Sequence, residues 1–219
     1  MDASCRAPLE PPAPSFPPCH TLFTGAILAG GDSRRLGRDK AQATLQARPL
    51  ALWVADALKP WVAASWLITN QPLAHLSLGL PLLTDLIPWQ GPLGGLATAL
   101  FYARTPWVLA TAVDNPLVAA PVLEALIAAA RKTSRPAVVC RSHRGLEPFP
   151  GLYATRLFSR LMEFLAHDRR PRLFLEQCRP AILDEALVYR LDPEGHTFFN
   201  LNTPQDLAQA RQALANSSE

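Results

Sequence analysis

The sequence predicts one α/β domain on a mostly parallel, helix-covered sheet, and three observations predict it. Short apolar runs of strand length alternate with longer amphipathic segments through the first two thirds of the chain, and strands fed by helices in this way pair in parallel. The first apolar run empties into a glycine-rich, basic loop, as a buried strand does at its carboxyl end. Of the 219 residues, 49% are hydrophobic and 18% charged, enough for one large core and far from the composition of a disordered chain.

Taken in order, residues 1–22 carry Pro8, Pro11, Pro12, Pro14, Pro17 and Pro18. They read as a disordered, polyproline-II-like tail, ahead of a folded domain over 23–216. TGAILAG (24–30) is the first buried strand, 50–61 a helix and SWLITN (65–70) the next strand, which together make a β-α-β unit. PLLTD (81–85) is a strand, GPLGGL a turn, and a helix then runs to about Arg104. WVLATAV (107–113) is a strand and 119–132 a helix. From PAVVCRS (136–142), itself strand-like, the alternation loosens. A second strand-like run covers 149–153, helical stretches cover 155–167 and 171–178, and ALVYRL (186–191) reads as a strand. The last helix follows Thr203 as N-cap, with Pro204 as its first residue and Asp206 in its first turn.

Composition excludes several classes. The formal net charge is +3, and the basic residues gather only around 34–40 and 169–172, too sparse for a nucleic-acid binder but suited to a phosphorylated small molecule. Cys5, Cys19, Cys140 and Cys178 contain no CxxC pair, which gives neither a zinc site nor a disulfide framework and makes a reducing cytoplasm the expectation. The tail lacks the basic and apolar regions of a secretion signal. The longest apolar stretch, 116–130, is broken by Pro121 and Glu124 and is shorter than a membrane span, so no membrane association is expected. The five histidines show no metal-binding spacing and read as structural or solvated. The tryptophans are core candidates, with Trp89, beside GPLGG, a candidate to stack near a bound base.

The chemistry concentrates where strands end. AGGDSRRLGRDKA places adjacent glycines, Gly37, Arg34, Arg35, Arg38 and Lys40 in the loop after the first strand, where an open α/β sheet binds ligands. Glycines let backbone N–H groups approach phosphate oxygens, and the basic side chains offset polyphosphate charge. The spacing matches neither a P-loop nor GxGxxG. Asp114 ends WVLATAV at the same sheet edge, and its carboxylate is a hard ligand for magnesium, or else the cap of the next helix. Asp85 ends PLLTD, where its carboxylate can accept from the N–H donors of a base or from ribose hydroxyls. Gly91, Pro92, Gly94 and Gly95 let backbone pass close to a base or ribose, or form a plain turn. Arg169, Arg170 and Arg172 suit phosphate and carbonyl oxygens, or form a solvated charge run. Asn200 and Asn202 read on their own as ordinary residues of a turn at a helix start.

AGGDSRRLGRDKA, ITN (68–70), TD with GPLGG (84–95), VDNP (113–116), EPFPGLY (147–153), RRPRLF (169–174) and FFNLNTPQDL (198–207) occur in the order seen in the molybdenum cofactor guanylyltransferases. The chain resembles that family, within the sugar-phosphate nucleotidyltransferase superfamily, from residue 24 to about 210. The resemblance implies a Rossmann-like sheet with helices on both faces, magnesium dependence, GTP and the molybdopterin cofactor as substrates, and molybdoenzyme maturation proteins as partners. It implies catalytic roles for Arg35, Lys40 and Asp114, with Asp114 on the metal and Asn200 or Asn202 as a candidate second ligand. Nucleotide contacts are implied for Leu28, Ala29, Gly30, Gly31, Lys40, Asn70, Asp85, Gly91, Pro92 and Asp114, and pterin-side contacts for Arg169, Arg170, Arg172, Asn200 and Asn202. The rivals are a sister enzyme using CTP and a non-catalytic nucleotide or cofactor carrier. Leu36 stands where the signature usually has methionine, a volume-conserving exchange. Glu147 stands where the family often has histidine, a departure on the pterin side.

Overall fold

The computed structural model describes residues 22–30 and 39–216. The expectations for the tail and for Gly31 and Arg35 in the loop therefore fall outside the described residues, apart from Leu22. FTGAIL has no polar side chain except Thr24 and forms β1 (Phe23–Leu28), buried along its whole length, as a central parallel strand must be. A two-residue hairpin follows, β2 (Thr44–Leu45) and β3 (Arg48–Pro49), and then α1 (Leu50–Leu58), β4 (Ser65–Thr69), the short α2 (Pro72–His75) and β5 (Leu82–Thr84). The chain continues with α3 (Gly91–Tyr102), β6 (Trp107–Ala112), α4 (Ala120–Lys132), β7 (Ala137–Ser142) and β8 (Gly145–Ala154). It ends with α5 (Phe158–Leu165), α6 (Pro171–Cys178), β9 (Ala181–Leu183), α7 (Glu185–Leu191) and α8 (Pro204–Asn216).

Seven strands form one sheet in the order β5-β4-β1-β6-β8-β7-β9. β1 pairs in parallel with β4 on one side and β6 on the other. Only β8 runs against its neighbours β6 and β7, while β9 returns parallel to β7. Successive residues of β1 point to opposite faces. Phe23 and Ile27 join Leu50 and Val54 of α1, Val122 and Leu126 of α4, and Leu207 of α8 in one apolar layer. Ala26 and Leu28 join Leu93 and Leu96 of α3, Leu161 of α5 and Phe174 of α6 in the other. The fold is thus the expected α/β sheet with helices on both faces. Its strand order reverses at the crevice between β1 and β6, the place where such sheets bind ligands.

Three expectations are corrected. GPLGGL is no turn: it is the first half of α3, with Pro92 in the first turn, where its missing N–H costs nothing. Only Gly91, at φ +65°, keeps turn geometry. ALVYRL forms helix α7 instead of a strand, because the Asp184 carboxylate accepts from Leu187 N–H and starts a helical turn, a local bond that outweighs the strand preference of Val188 and Tyr189. The strand of this region is β9, just before the cap. The run at 149–153 is the second half of a ten-residue strand, turned back on β7 through Gly145 at φ +104°. The hairpin β2–β3 went unannounced because its turn residues, Gln46 and Ala47, adopt positive φ without the Asn or Gly that signals such a turn.

Candidate active site

β1 and β6 end side by side, and the residues that follow them meet. Leu28, Ala29 and Gly30 from β1 and Ala112, Val113 and Asp114 from β6 line a cavity of about 230 Å³, with Lys40, Pro92, Phe149 and Asn200 completing its wall. Lys40 Nζ donates to Asp114 Oδ2 at 2.8 Å and to Asn202 Oδ1 at 2.6 Å. An ammonium from the loop exit, a carboxylate from the central strand and an amide from the approach to α8 are therefore one cluster, although 74 and 162 residues separate Lys40 from its two partners.

Backbone chemistry fixes each member. Asp39 Oδ1 accepts from Ala41 N–H at 2.8 Å, while its Oδ2 lies 2.9 Å from Nε2 of the buried His75. That pairing anchors the turn that presents Lys40. On the other side, Leu201 N–H donates to the Asp114 carbonyl at 2.8 Å, and Asn115 Nδ2 donates to the Thr197 carbonyl at 2.8 Å. These bonds tie the end of β6 to the NLN segment. Asp206 Oδ2 accepts from the N–H groups of Asn202 and Thr203, and Thr203 Oγ1 accepts from Asp206 N–H, the reciprocal cap expected of this helix start. Burial works against the Asp206 charge, but these donors and the nearby Lys40 ammonium outweigh it and hold the carboxyl below its usual range.

Beyond this cluster, toward β4 and β5, lies Asp85. It is 5% exposed, and neither carboxylate oxygen has a hydrogen-bond partner among the described residues. Burial pushes its carboxyl up from 3.8 to about 6, partly opposed by the Asn70 amide, which makes no well-formed hydrogen bond and is itself unsatisfied at both polar atoms. A Cβ placed on Gly30 would lie 3.0 Å from Asp85 Oδ2 and 3.3 Å from Asn70 Nδ2, and one on Gly95 would lie 3.6 Å from Asp85 Oδ1. Two glycines thus let the backbone pass close to a carboxylate and an amide that lack hydrogen-bond partners among the described residues. Buried polar atoms are rarely left so.

A smaller cleft of about 90 Å³ adjoins the cavity on the β8 side, sharing Ala112, Phe149 and Asn200 with it and adding Arg144 and Glu147. The arginines singled out in the sequence spread around this end. Arg172 Nη2 lies 3.9 Å from Glu147 Oε2, and Arg169 reaches the Trp89 carbonyl at 3.4 Å. Arg170 turns outward, 75% exposed, onto Asp168, whose carboxyl it holds well below the usual range. Trp89 itself is 67% exposed. Nothing in the sequence around Arg144 marks a site; the hairpin β7–β8 brings it to the cleft.

The donor set suits a magnesium ion shared with phosphate. Asp114 Oδ1 has no partner among the described residues, the Asn200 amide lines the same cavity, and one carboxylate with neutral oxygens leaves room for the phosphates magnesium prefers. No group of three or more His, Cys, Asp or Glu gathers among the described residues, so a thiolate or histidine metal centre has no candidate there. The described cysteines are not nucleophiles. Burial and then the Glu147 charge push the Cys140 thiol up to about 12, and burial pushes Cys178 up to about 11, which removes the thiolate at neutral pH.

A doubly wound sheet, a lysine and an aspartate facing each other across its switch point, and a buried acid beside the glycine that ends the first strand define the nucleotide-binding class of α/β transferases. The chain superposes on the crystal structure of molybdopterin-guanine dinucleotide biosynthesis protein A from Archaeoglobus fulgidus with a TM-score of 0.77 at 25% identity, covering 88% of this chain and 99% of that one. The MobA-like NTP transferase domain matches residues 25–182, and the chain belongs to that family. It is 37% identical over 188 residues to a probable molybdenum cofactor guanylyltransferase of Deinococcus radiodurans, spanning 85% of this chain and 93% of that protein. It is 32% identical over 199 residues to the molybdenum cofactor guanylyltransferase of Vibrio cholerae, spanning 90% and 94%.

Proposed function

We propose that this protein transfers GMP from GTP to the phosphate of the molybdopterin-bound molybdenum cofactor, releasing pyrophosphate. The observation that carries the choice of nucleotide is Asp85: a buried carboxylate whose two oxygens, like the amide beside it, have no hydrogen-bond partner among the described residues. Guanine offers N1–H and its exocyclic amine side by side to two such oxygens, whereas cytosine offers one amino group beside acceptors. A base seated between Gly30, Asn70 and Asp85 directs the triphosphate toward Lys40.

The reaction is then a direct displacement. An oxygen of the acceptor phosphate forms a bond to the α-phosphorus as the bond from that phosphorus to the bridging oxygen of pyrophosphate breaks. Lys40 neutralises the charge that builds on the phosphates, held in place by Asn202 and by the turn anchored on His75; preorganised charge of this kind is the main source of rate in phosphoryl-type transfers. Arg35 belongs to the same polyphosphate-binding loop. Asp114 and Asn200 would hold a magnesium ion, which when bound supplies further charge neutralisation. No side-chain nucleophile is needed. The setting is the cytoplasm, where GTP is available, with the product passing to molybdoenzyme maturation proteins.

The test is turnover of purified protein with molybdopterin and either GTP or CTP, followed as pyrophosphate release and as the dinucleotide formed. GTP-selective formation of the guanine dinucleotide is expected. Exclusive use of CTP overturns the base assignment, and release from neither nucleotide overturns the enzymatic reading.

A further inference from the structure

We propose that Arg144 binds the terminal phosphate of the acceptor and that Glu147 is the positioning residue holding the Arg144 guanidinium for this task, an inference that rests on the guanylyl transfer proposed above. Glu147 is 7% exposed, and apart from the 3.9 Å approach of Arg172 to its Oε2 its side-chain contacts among the described residues serve the β7–β8 turn. Ser142 Oγ donates to Glu147 Oε1 at 2.6 Å and accepts from Arg144 N–H at 3.1 Å. Arg144 Nε donates to the same Oε1 at 3.2 Å, and Arg144 Nη2 donates to the Phe198 carbonyl at 3.1 Å. The backbone and two of the three guanidinium nitrogens of Arg144 are thus locked, and Nη1 has no partner among the described residues.

Stability does not explain this arrangement. A buried carboxylate held by an arginine gains little over a well-packed apolar pair, because desolvation offsets the attraction. What the network provides is orientation: a guanidinium held at two nitrogens, on a backbone held at its N–H, loses little entropy when it grips an anion. Its position decides which anion. Arg144 lines the cleft that shares Ala112, Phe149 and Asn200 with the Lys40–Asp114 cavity, so a phosphate there stands beside the nucleotide site and on the far side of it from Asp85. An acceptor phosphate needs a cation that the triphosphate does not already claim. Lys40 is committed to the nucleotide, and Arg144, with Arg172 adding positive potential from α6, supplies that cation.

The experiment titrates molybdopterin and, separately, GTP into the full-length protein and its variants. Arg144→Ala is expected to weaken molybdopterin binding about tenfold, one charge-assisted contact, with GTP affinity unchanged, which also reports an intact fold. Glu147→Gln is expected to weaken molybdopterin binding by a smaller factor, and this effect should vanish in the Arg144→Ala background, because Glu147 acts through Arg144. Wild-type molybdopterin affinity in Arg144→Ala overturns the inference while leaving the guanylyltransferase reading intact. An undiminished Glu147→Gln effect in the double variant overturns the positioning role. A wild-type protein that binds GTP but no molybdopterin defeats the acceptor assignment itself, and this inference with it.

Discussion

Asp85, beside Gly30, and Glu147, in the cleft next to the Lys40–Asp114 cavity, are both buried acids, and their surroundings differ in kind. Glu147 receives the Ser142 hydroxyl and the Arg144 guanidinium; Asp85 receives nothing well formed, and the amide beside it is equally unsatisfied. An acid whose donors come from its own chain is part of the scaffold. An acid buried without donors is an expense in the free protein that a ligand's donors can recover, since an unsatisfied buried group costs about 1–3 kcal/mol. On the proposed reading, the nucleotide side therefore gains from a ligand's donors, while the acceptor side is already built.

The hardest break of this contrast removes the ammonium of Lys40. Lys40→Ala is expected to lower kcat by about 1,000-fold, the scale of losing one preorganised electrostatic group, measured as steady-state pyrophosphate release. Asp85→Asn comes next: it keeps the shape but turns one acceptor into a donor, and GTP kcat/KM should fall about 100-fold with loss of preference over CTP. The same substitution should stabilise the free protein, since activity and stability are opposed at such a site. The Asp85 carboxyl rises from 3.8 to about 6 on folding, so the native state binds the proton more tightly than the unfolded chain. The favourable contribution is full below the lower value and is lost as pH rises through the upper one. At pH 8 the Asn variant should gain roughly 1–2 kcal/mol, discounted for partial solvent screening, seen as a higher Tm.

Glu147→Gln should do the reverse, losing about 1 kcal/mol because its donors lose a charged acceptor; equal signs for the two variants would erase the distinction drawn here. With pH, GTP affinity should weaken up to tenfold per unit below about 6 as Asp85 takes its proton, and Asp85→Asn should flatten that limb of the profile. The smallest effect is expected outside the contrast altogether. Thr203→Ala removes the bond from Asp206 N–H and should cost about 1 kcal/mol in denaturant unfolding, with little change in GTP selectivity.

Much of this was legible in the residues. The run TGAILAG, the acids closing PLLTD and WVLATAV, and Thr203 with Pro204 and Asp206 all state their local structure, because burial period, strand ends and helix caps are set by neighbours in sequence. The errors were local signals competing with one another. GPLGGL has the composition of a turn, yet Pro92 is compatible with a first helical turn, and ALVYRL has the composition of a strand, yet Asp184 caps a helix. Arg144 carried no local mark at all, and His75 gave no sign of its pairing with Asp39.

By itself the sequence determined the alternation of strands and helices, the glycine-rich basic loop and the acids at strand ends, because these follow from side-chain periodicity and backbone freedom within a few residues. Only the tertiary structure decided that Lys40 meets Asp114 and Asn202, that Asp85 is left without donors, and that Ser142 and Arg144 close around Glu147. Those outcomes depend on which strands lie side by side and how far each carboxylate sits from water, quantities that belong to the packed sheet and to no single stretch of the chain.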